Sequence, residues 1–241
     1  TNVCLPLIAT ESTRSIYTEY FAVRYRMNSS KEGIYVAHMG SDDGVRLTVD
    51  GTKVYDRWIE RGYTVDTVVL FKLSGTSNLL LEYYESAGGN QISFQNLSKV
   101  SNNLTSGTTQ TICSSSTGSQ ISGNNVFTDP PIGSRAIFTV SYQWQQSTDQ
   151  NIWSDISGAT SQNYTPSGFL EGTYYIRRKL TVSRTHPGSI VVSAIDYSNI
   201  ATLTVRPVFT AGTIANTGQT ICSGTVPTTQ IGSTADASGG D

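Results

Sequence analysis

Charged residues are scarce in this 241-residue chain, at 14% of the total, and their signs nearly cancel. Lys and Arg number 16 against 18 Asp and Glu, so the net charge of −2 provides no field that would hold nucleic acid or an acidic membrane. Long apolar runs are also absent, and none approaches the roughly 20 residues of a membrane helix. No apolar start resembles a secretion signal, so we expect any export signal to have been removed already. We predict no nucleic-acid partner and no membrane insertion.

The three cysteines and two histidines are too few for the usual metal and catalytic motifs. Cys4, Cys113 and Cys222 are spaced 109 residues apart, and neither a CxxC nor an HExxH motif occurs, which argues against zinc. We expect these cysteines to be small buried residues, one at the start of each module; a bridge between modules is the alternative. His38 and His186 lack a neighbouring Ser or Cys nucleophile motif, so we predict that the chain is not an enzyme.

Serine and threonine dominate instead, at 31 and 32 residues, together with 22 Gly and 13 Tyr. This composition favours pleated strands and turns over helices. Apolar stretches bounded by Gly, Asn, Asp or Ser indicate strands, and in the first hundred residues they are 20–27, 33–39, 45–49, 67–73 and 79–84. The sequence therefore predicts an all-β fold, in which any helix is a single turn.

A repeat divides the chain into modules. Residues 110–114 and 219–223 both read Gln-Thr-Ile-Cys-Ser, which indicates an array of similar units. We predict one β-sandwich over 1–104, a second over 105–209 and the first strands of a further repeat over 210–241. So short a third segment cannot bury a core of its own. We therefore expect the chain to be a piece of a longer array, with its tail leaning on a neighbouring module or another chain.

Adjacent aspartates occupy a predicted loop tip, Ser41-Asp42-Asp43-Gly44, between two of these strands. Two carboxylates side by side repel each other, and a hard cation that takes oxygens from both relieves the repulsion. Ca²⁺ is such a cation, with oxygen ligands at about 2.3–2.6 Å. The alternative is an Asx-type turn, in which the Asp side chains only cap backbone amides. The residues alone leave both interpretations open.

Four motifs in the first module resemble, in the same order, the domain family named after anthrax protective antigen. They are Phe21-Ala-Val-Arg-Tyr25, the stretch 33–51 with the Asp-Asp-Gly turn, Asp56-Arg-Trp58, and 81–94. The family is a β-sandwich found in yeast flocculins, bacterial adhesins and some glycosidases. The resemblance covers about residues 17–98, and this module is short at its start relative to the family.

The resemblance implies a Ca²⁺-dependent carbohydrate site. In family members that bind sugar, paired aspartates, often joined by a cis peptide, hold a Ca²⁺ that coordinates two sugar hydroxyls. That role would fall on Asp42 and Asp43. A later loop usually completes the metal shell through backbone oxygens or an amide side chain, which implies Gly88, Gly89 and Asn90 as further metal ligands.

Aromatic residues flank these loops. Trp58 follows Asp56-Arg57 and could stack on a sugar face through CH–π contact; the alternative is a Trp that caps the sandwich core. The carbohydrate-binding residues that we predict are therefore Asp42, Asp43, Trp58 and Asn90.

Two glutamates nearby raise the question of a glycosidase acid–base pair. Glu82 and Glu85 straddle two tyrosines, but strand positions three apart face opposite sides, so the two cannot easily share a substrate. We interpret them as solvated edge charges.

The second module has the pattern of an immunoglobulin-like sandwich. Residues 142–146 read Tyr-Gln-Trp-Gln-Gln, and 171–176 read Glu-Gly-Thr-Tyr-Tyr-Ile. Trp144 would be the core tryptophan and Tyr174 the corner tyrosine. Ile176 stands where antibody domains place the second cysteine, so aliphatic packing would replace the inter-sheet disulfide.

This module also resembles the tandem Ig-like repeats of giant surface proteins from the Bacteroidetes. The shared segments are Ile112–Ser115, Tyr142–Gln145, Ser147–Asp149 and Asp155–Thr160. Such repeats commonly carry a late second cysteine, whereas residues 193–196 here read Ser-Ala-Ile-Asp, so Cys113 lacks that partner. Proteins of this kind use type IX secretion and include gliding-motility and attachment adhesins.

These features together predict a fragment of a secreted bacterial cell-surface adhesin, with a Ca²⁺-dependent carbohydrate-binding first module and a stalk of Ig-like repeats. The expected partners are a glycan or surface polysaccharide, other modules of the same long chain, and the secretion or gliding machinery. The alternative is a purely structural spacer or filament segment with no ligand, or a substrate that this machinery carries in a complex.

Overall fold

The computed structural model describes residues 18–126, 139–214, 219–226 and 232–239 of the chain. Within these ranges the chain forms strands and turns and contains no helix. The strands are β1 (Phe21–Ser29), β2 (Gly33–Asp42), β3 (Gly44–Val49), β4 (Thr52–Arg57), β5 (Thr64–Leu73), β6 (Ser77–Glu85), β7 (Gln91–Lys99), β8 (Leu104–Ser106), β9 (Thr109–Cys113), β10 (Ser122–Gly123), β11 (Thr139–Ser147), β12 (Ser154–Asp155), β13 (Gly172–His186), β14 (Ile190–Tyr197), β15 (Ala201–Arg206), β16 (Thr213–Ile214) and β17 (Ser233–Ala235). A search of the same residues finds no helix with the length and apolar character needed to span a membrane.

The all-β prediction is confirmed. The five strands predicted in the first hundred residues are present as β1, β2, β3, β5 and β6, although their ends differ by a few residues. Sequence patterns did not identify β4 and β7, because both are rich in polar residues and lack a clear apolar alternation. The tandem arrangement of sandwiches stays a prediction.

Two compact units are distinguished by the contacts within them. Unit one contains residues 18–100 together with Thr139 and Val182–Ala194. Unit two contains Ser101–Val126, Val140–Thr181 and the described residues from Ile195 onward. A segment of the predicted second module, residues 182–194, thus belongs to unit one.

Unit one consists of two antiparallel sheets that share one core. The strand orders are β1-β6-β3-β4 and β5-β2-β7. Since side chains alternate between the faces of a strand, every second residue of β3 and β6 enters the core. The buried cluster comprises Tyr35, Ala37, Met39, Val45, Leu47, Val49, Val54, Tyr55, Val69, Phe71, Leu73, Leu79 and Leu81.

The end of β13 and the start of β14 supply further contacts to unit one. Val192 packs against the core cluster, and the buried His186 meets the ring of Tyr55 edge-on, with centroids 5.8 Å apart. Burial lowers the pKa of His186 to about 4, and the nearby charge of Arg184 acts in the same direction.

Unit two is built around a sheet of order β12-β11-β13-β15-β9, with β14 paired to β13. β9 runs parallel to β15, whereas β13 and β15 are antiparallel.

Trp144 and Ile176 are fully buried, which confirms their predicted place in the core. Tyr174 packs at the border of this core with its ring 4.8 Å from that of Phe169; its role as a corner tyrosine stays a prediction. The buried cluster comprises Leu104, Ile121, Trp144, Phe169, Ile176, Ala201, Leu203 and Val205.

A charged side chain, Arg178 of β13, is also fully buried in unit two. Its guanidinium carbon lies 4.6 Å from the ring centroid of Tyr142. Gly123 makes room for it, because a Cβ at that position would lie 1.9 Å from Nη1 of Arg178.

The prediction of buried cysteines is wrong for the two that the structure describes. Cys113 and Cys222 are exposed and free, and Cys4 lies outside the described residues. Cys113 ends β9, an outer strand of its sheet in which Gln110 and Ile112 are half-buried and the intervening residues are exposed. Alternation along the strand therefore points this thiol away from the core.

The chain after β15 forms a small pair of strands of its own. β16 and β17 are antiparallel, and Thr210 and Ser238 exchange backbone hydrogen bonds of 2.7 and 3.0 Å. All described residues between 211 and 239 are exposed. Gly239 lines a crevice of unit two beside residues 171–173 and 204–207. The described tail therefore pairs its backbone but buries no core of its own.

Candidate metal site

The acidic turn lies where two connections between the sheets of unit one run side by side. Asp42 ends β2 and pairs with Gln91 of β7, whereas Gly44 begins β3 and pairs with Tyr84 of β6. β2 and β3 belong to different sheets, and so do β6 and β7. The turn between β2 and β3 and the loop between β6 and β7 therefore meet at one end of unit one.

Three carboxylates converge at this end. Asp42, Asp43 and Glu85, called the acidic triad below, each place one oxygen within 4.8 Å of the others. Asp43 is 4% exposed and Glu85 is 1% exposed, while Asp42 is half-buried. The peptide bond between the two aspartates is cis. Carboxylate oxygens grouped in this way are the ligands that hard cations prefer.

Asp43 is held by hydrogen bonds to both of its carboxylate oxygens. The backbone amide of Arg61 donates to Oδ1 at 2.7 Å, and that of Ser86 donates to Oδ2 at 2.8 Å. The Asp43 carbonyl accepts a hydrogen bond from Ser41 Oγ at 2.6 Å and a longer one from Arg61 Nε at 3.4 Å. Each carboxylate oxygen can accept more than one bond, so the group is oriented and keeps capacity for a metal ion.

Glu85 has one satisfied and one unsatisfied oxygen. The Tyr83 hydroxyl lies 2.8 Å from Oε2 and also makes a short contact with the carbonyl of Asp42. Oε1 is buried and has no hydrogen-bond partner among the described residues. Burial raises the pKa of Glu85, and the charges of Asp43, Asp42 and Glu19 act in the same direction, against the hydrogen bond from Tyr83. A buried carboxylate oxygen without a partner is unfavourable unless a proton or a cation reaches it.

The interpretation of Glu82 and Glu85 as solvated edge charges is wrong, because both are buried. Glu82 accepts hydrogen bonds from Arg46 at 2.6 Å and from Arg24 at 2.8 Å, and these bonds lower its pKa. The two arginines stand opposite Glu82 on β3 and β1. The edge assignment failed because β6 is an inner strand of its sheet.

Arg61 touches Asp43 but forms its ion pair elsewhere. Its Nη1 lies 2.8 Å from Oδ2 of Asp66, and the Tyr55 hydroxyl makes a short hydrogen bond to the same oxygen. Across the described ranges, no ion pair includes a member of the acidic triad. Among the described residues, the carboxylates of the triad therefore have no ion pair that would balance their charge.

The loop after β6 approaches the aspartates through one of its predicted residues. A Cβ at Gly89 would lie 3.1 Å from Oδ2 of Asp42. Gly88 has a φ of 105°, which glycine adopts without strain. The Asn90 side chain is exposed, and its Nδ2 donates to the carbonyl of Thr18 at 3.1 Å. The roles of Gly88, Gly89 and Asn90 as metal ligands stay predictions.

Trp58 contacts Arg46 and Tyr84, and Tyr84 stands opposite Gly44 of the acidic turn. The guanidinium carbon of Arg46 is 4.1 Å from the Trp58 ring centroid, and the Tyr84 ring is 4.7 Å away on a tilted plane. Tyr84 in turn covers Gly44, where a Cβ would lie 1.9 Å from its ring. Trp58 is half-buried and is not part of the core cluster. Aromatic surface therefore adjoins the carboxylates.

Glu85 is the member of this cluster that the sequence analysis did not select, although a usable signal was present. Leu79, Leu81 and Tyr83 alternate along β6 and are all buried. Glu85 continues the same alternation at the end of the strand, so its position predicts an inward side chain. The alternation therefore places this carboxylate on the inner face at the end of β6.

Comparisons with known proteins cover parts of this chain. Residues 102–207 match the family model described as a domain of unknown function, DUF8696. Among curated proteins, none matches the chain.

Two solved structures share some similarity with the chain. A putative β-galactosidase from Bacteroides fragilis is 11% identical with a TM-score of 0.27, and the match covers 74% of this chain and 32% of that one. A Parabacteroides merdae β-glucuronidase is 14% identical with a TM-score of 0.26, and the match covers 79% of this chain and 29% of that one. The chain thus spans about a third of the length of these enzymes. At such TM-scores the likeness carries no inference about fold or function.

Proposed function

We propose that unit one binds Ca²⁺ through the acidic triad. The observation that carries this proposal is the buried Oε1 of Glu85, which has no hydrogen-bond partner among the described residues and belongs to a group of carboxylates within 4.8 Å of one another. A cation there would supply the missing partner and relieve the repulsion among three negative groups.

The donor set favours calcium over other biological cations. All three side chains offer hard oxygen atoms, whereas zinc and copper sites are built mainly from His and Cys ligands. Mg²⁺ demands a near-ideal octahedral shell and keeps several waters. Ca²⁺ takes about six to eight oxygens in a flexible arrangement, so three carboxylates would leave positions open for an external ligand.

We propose a carbohydrate as that external ligand. Neighbouring sugar hydroxyls are hard oxygen donors of the kind that complete a calcium shell. Trp58 and Tyr84 are half-buried aromatic residues near the acidic turn, and the part of their ring surface that Arg46 does not cover could contact a sugar ring. We propose that this module acts as the glycan-binding part of a secreted bacterial surface adhesin.

Unit two favours a different role, that of a spacer. Among its described residues no group of three or more His, Cys, Asp or Glu side chains could hold a metal ion. Its buried Arg178 forms hydrogen bonds to uncharged oxygens of the same unit. We propose that unit two is a stalk element, with neighbouring modules of the chain and the secretion or gliding machinery as its partners.

Calcium binding is tested by thermal and urea unfolding of the full chain with CaCl₂ or with EDTA. A ligand that binds only the folded protein, at a hundredfold excess over its dissociation constant, raises the free energy of unfolding by about 2.7 kcal/mol. Asp43→Asn should remove this gain. Asp155→Asn, which changes an exposed aspartate of unit two, should keep it. Equal stability of the wild-type chain in CaCl₂ and in EDTA would contradict the proposal.

The carbohydrate ligand is tested separately on a glycan array, probed with and without Ca²⁺. We expect binding that EDTA abolishes and that Trp58→Ala weakens. If calcium stabilises the chain but no glycan on the array binds it, the metal site is supported and the carbohydrate-binding role is rejected.

A further inference from the structure

We infer that Asp66 sets the calcium affinity of the acidic triad by neutralising Arg61, an inference that rests on the proposed metal site. Asp66 is not a metal ligand in this account. It acts through Arg61, which contacts Asp43 directly.

Arg61 lies immediately behind the metal-binding aspartate. Its backbone amide donates to Asp43 Oδ1 at 2.7 Å, its Nε lies 3.4 Å from the Asp43 carbonyl, and its Nη2 donates to Ser41 Oγ at 2.7 Å. Ser41 Oγ in turn donates to the same Asp43 carbonyl. The Arg61 side chain is only 8% exposed, so solvent screens its charge poorly.

A positive charge in this position has two opposing effects on a bound cation. The backbone amide of Arg61 orients the Asp43 carboxylate, which favours binding because oriented ligands need no rearrangement. The guanidinium charge repels a cation held by the same aspartate, and the repulsion is strong where water is largely excluded. The net effect depends on whether the charge of Arg61 is compensated.

Asp66 supplies that compensation. Its Oδ2 lies 2.8 Å from Arg61 Nη1, and the carboxylate is held by the hydroxyl of Tyr55, a residue buried in the core of unit one. The Arg61–Asp66 ion pair carries no net charge, so Asp66 offsets the repulsion that Arg61 exerts on a cation held by the triad. The negative charge of the triad is then available to a cation, while the backbone amide of Arg61 still positions Asp43.

The test is calcium titration calorimetry on the full chain and four variants. Asp66→Asn should weaken calcium binding about tenfold, the lower end of what loss of an outer-shell partner causes. The double variant Arg61→Gln/Asp66→Asn removes both charges and should return the affinity to within about threefold of wild type, because coupled charges show non-additive effects. Tyr55→Phe keeps the ion pair and should change the affinity by less than about threefold.

Urea unfolding in EDTA shows whether Asp66→Asn is folded. If it is not, Arg61→Gln alone still tests the inference. Without the guanidinium, calcium should bind at least as tightly as in wild type. Weaker calcium binding by Arg61→Gln would show that the Arg61 side chain acts only by positioning Asp43. A double variant that binds calcium as weakly as Asp66→Asn would exclude charge compensation. Either result overturns the inference. A wild-type chain that binds no calcium would instead reject the proposed function itself.

Discussion

One buried charge in each unit, Arg178 in unit two and Glu85 in unit one, differs from the other in its hydrogen bonds. In unit two, the guanidinium of Arg178 donates to Asn102 Oδ1 at 3.0 Å, to the Gln162 carbonyl at 2.9 Å, and to the carbonyl and Oδ1 of Asn124 at 3.1 and 3.0 Å. In unit one, the buried carboxylate of Glu85 keeps Oε1 without a hydrogen-bond partner among the described residues.

This difference separates a structural charge from a candidate binding site. A buried ion whose hydrogen bonds are all made to fixed dipoles holds those dipoles together and needs no further partner. A buried ion with an open lone pair is costly, and a proton or a cation from solution lowers that cost. The proposed metal site therefore rests on the unmatched oxygen of Glu85 among neighbouring carboxylates, and not on burial alone.

The largest effect should come from removing the structural charge. Arg178→Met would leave the oxygens of Asn102, Asn124 and Gln162 without their donor, and breaking a buried charged network costs about 3–5 kcal/mol. Urea unfolding measures the loss. Lys179→Met on the same strand changes a half-buried residue and should shift the free energy by less than about 0.5 kcal/mol. Equal stability of the two variants would refute the structural role of Arg178.

A buried histidine in unit one offers a second way to measure an unfavourable buried charge. The pKa of His186 is about 4, below its ordinary 6.5, so the unfolded chain takes up this proton at a higher pH than the folded chain. The free energy of unfolding should therefore be greatest above pH 6.5 and decrease by about 3 kcal/mol as the pH falls to 4.

This prediction is tested by measuring the free energy of unfolding of wild type and of His186→Phe in urea at several pH values. The variant should lack this part of the pH dependence, because phenylalanine fills the site next to Tyr55 without titrating. Identical slopes for the two proteins between pH 6.5 and 4 would mean that His186 is not held neutral by burial.

The smallest effect should distinguish two glutamates of the same strand. In EDTA at pH 7, Glu85→Gln should raise the free energy of unfolding, since the amide keeps the shape without an unbalanced charge. Glu82→Gln should lower it by up to about 1 kcal/mol, because two partly exposed ion pairs with Arg24 and Arg46 are lost. Urea unfolding gives both signs, and a loss of stability in Glu85→Gln would contradict the account of the triad.

Most strands of unit one and part of the candidate metal site could be predicted from sequence, and the features that could not have a common cause. Apolar alternation identified β1, β2, β3, β5 and β6, and the Asp-Asp-Gly turn drew attention to one end of unit one. Glu82 and Glu85 were placed at the surface because their strand was taken for an edge. Alternation along β6 indicates that Glu85 faces inward, but only the order of strands in the sheet shows that β6 is flanked on both sides. Local patterns do not contain that order.

The hydrogen-bond acceptors of Arg178 also could not be predicted from local patterns, because they are distant from it in the chain. Asn102 and Arg178 are separated by 76 residues, and no spacing rule connects them. The sheet of unit two brings them together, and the missing side chain of Gly123 leaves the space that the guanidinium fills.

The two copies of Gln-Thr-Ile-Cys-Ser separate what local sequence decides from what the fold decides. Each is followed by the same turn: the amide of Ser116 donates to the Cys113 carbonyl at 3.0 Å, and that of Thr225 donates to the Cys222 carbonyl at 3.1 Å. Ser115 and Gly224, the third residues of these turns, both have positive φ. A hydrogen bond closed within four residues depends on those residues alone.

The strand before the turn differs between the copies. The first copy lies in β9 and pairs with β15, whereas the described residues of the second are exposed and form no strand. Composition, alternation and turn residues therefore determined the all-β character, the strand positions and this repeated turn. Strand pairing and the satisfaction of buried charges were decided by tertiary structure, because they need a partner that is distant in the chain.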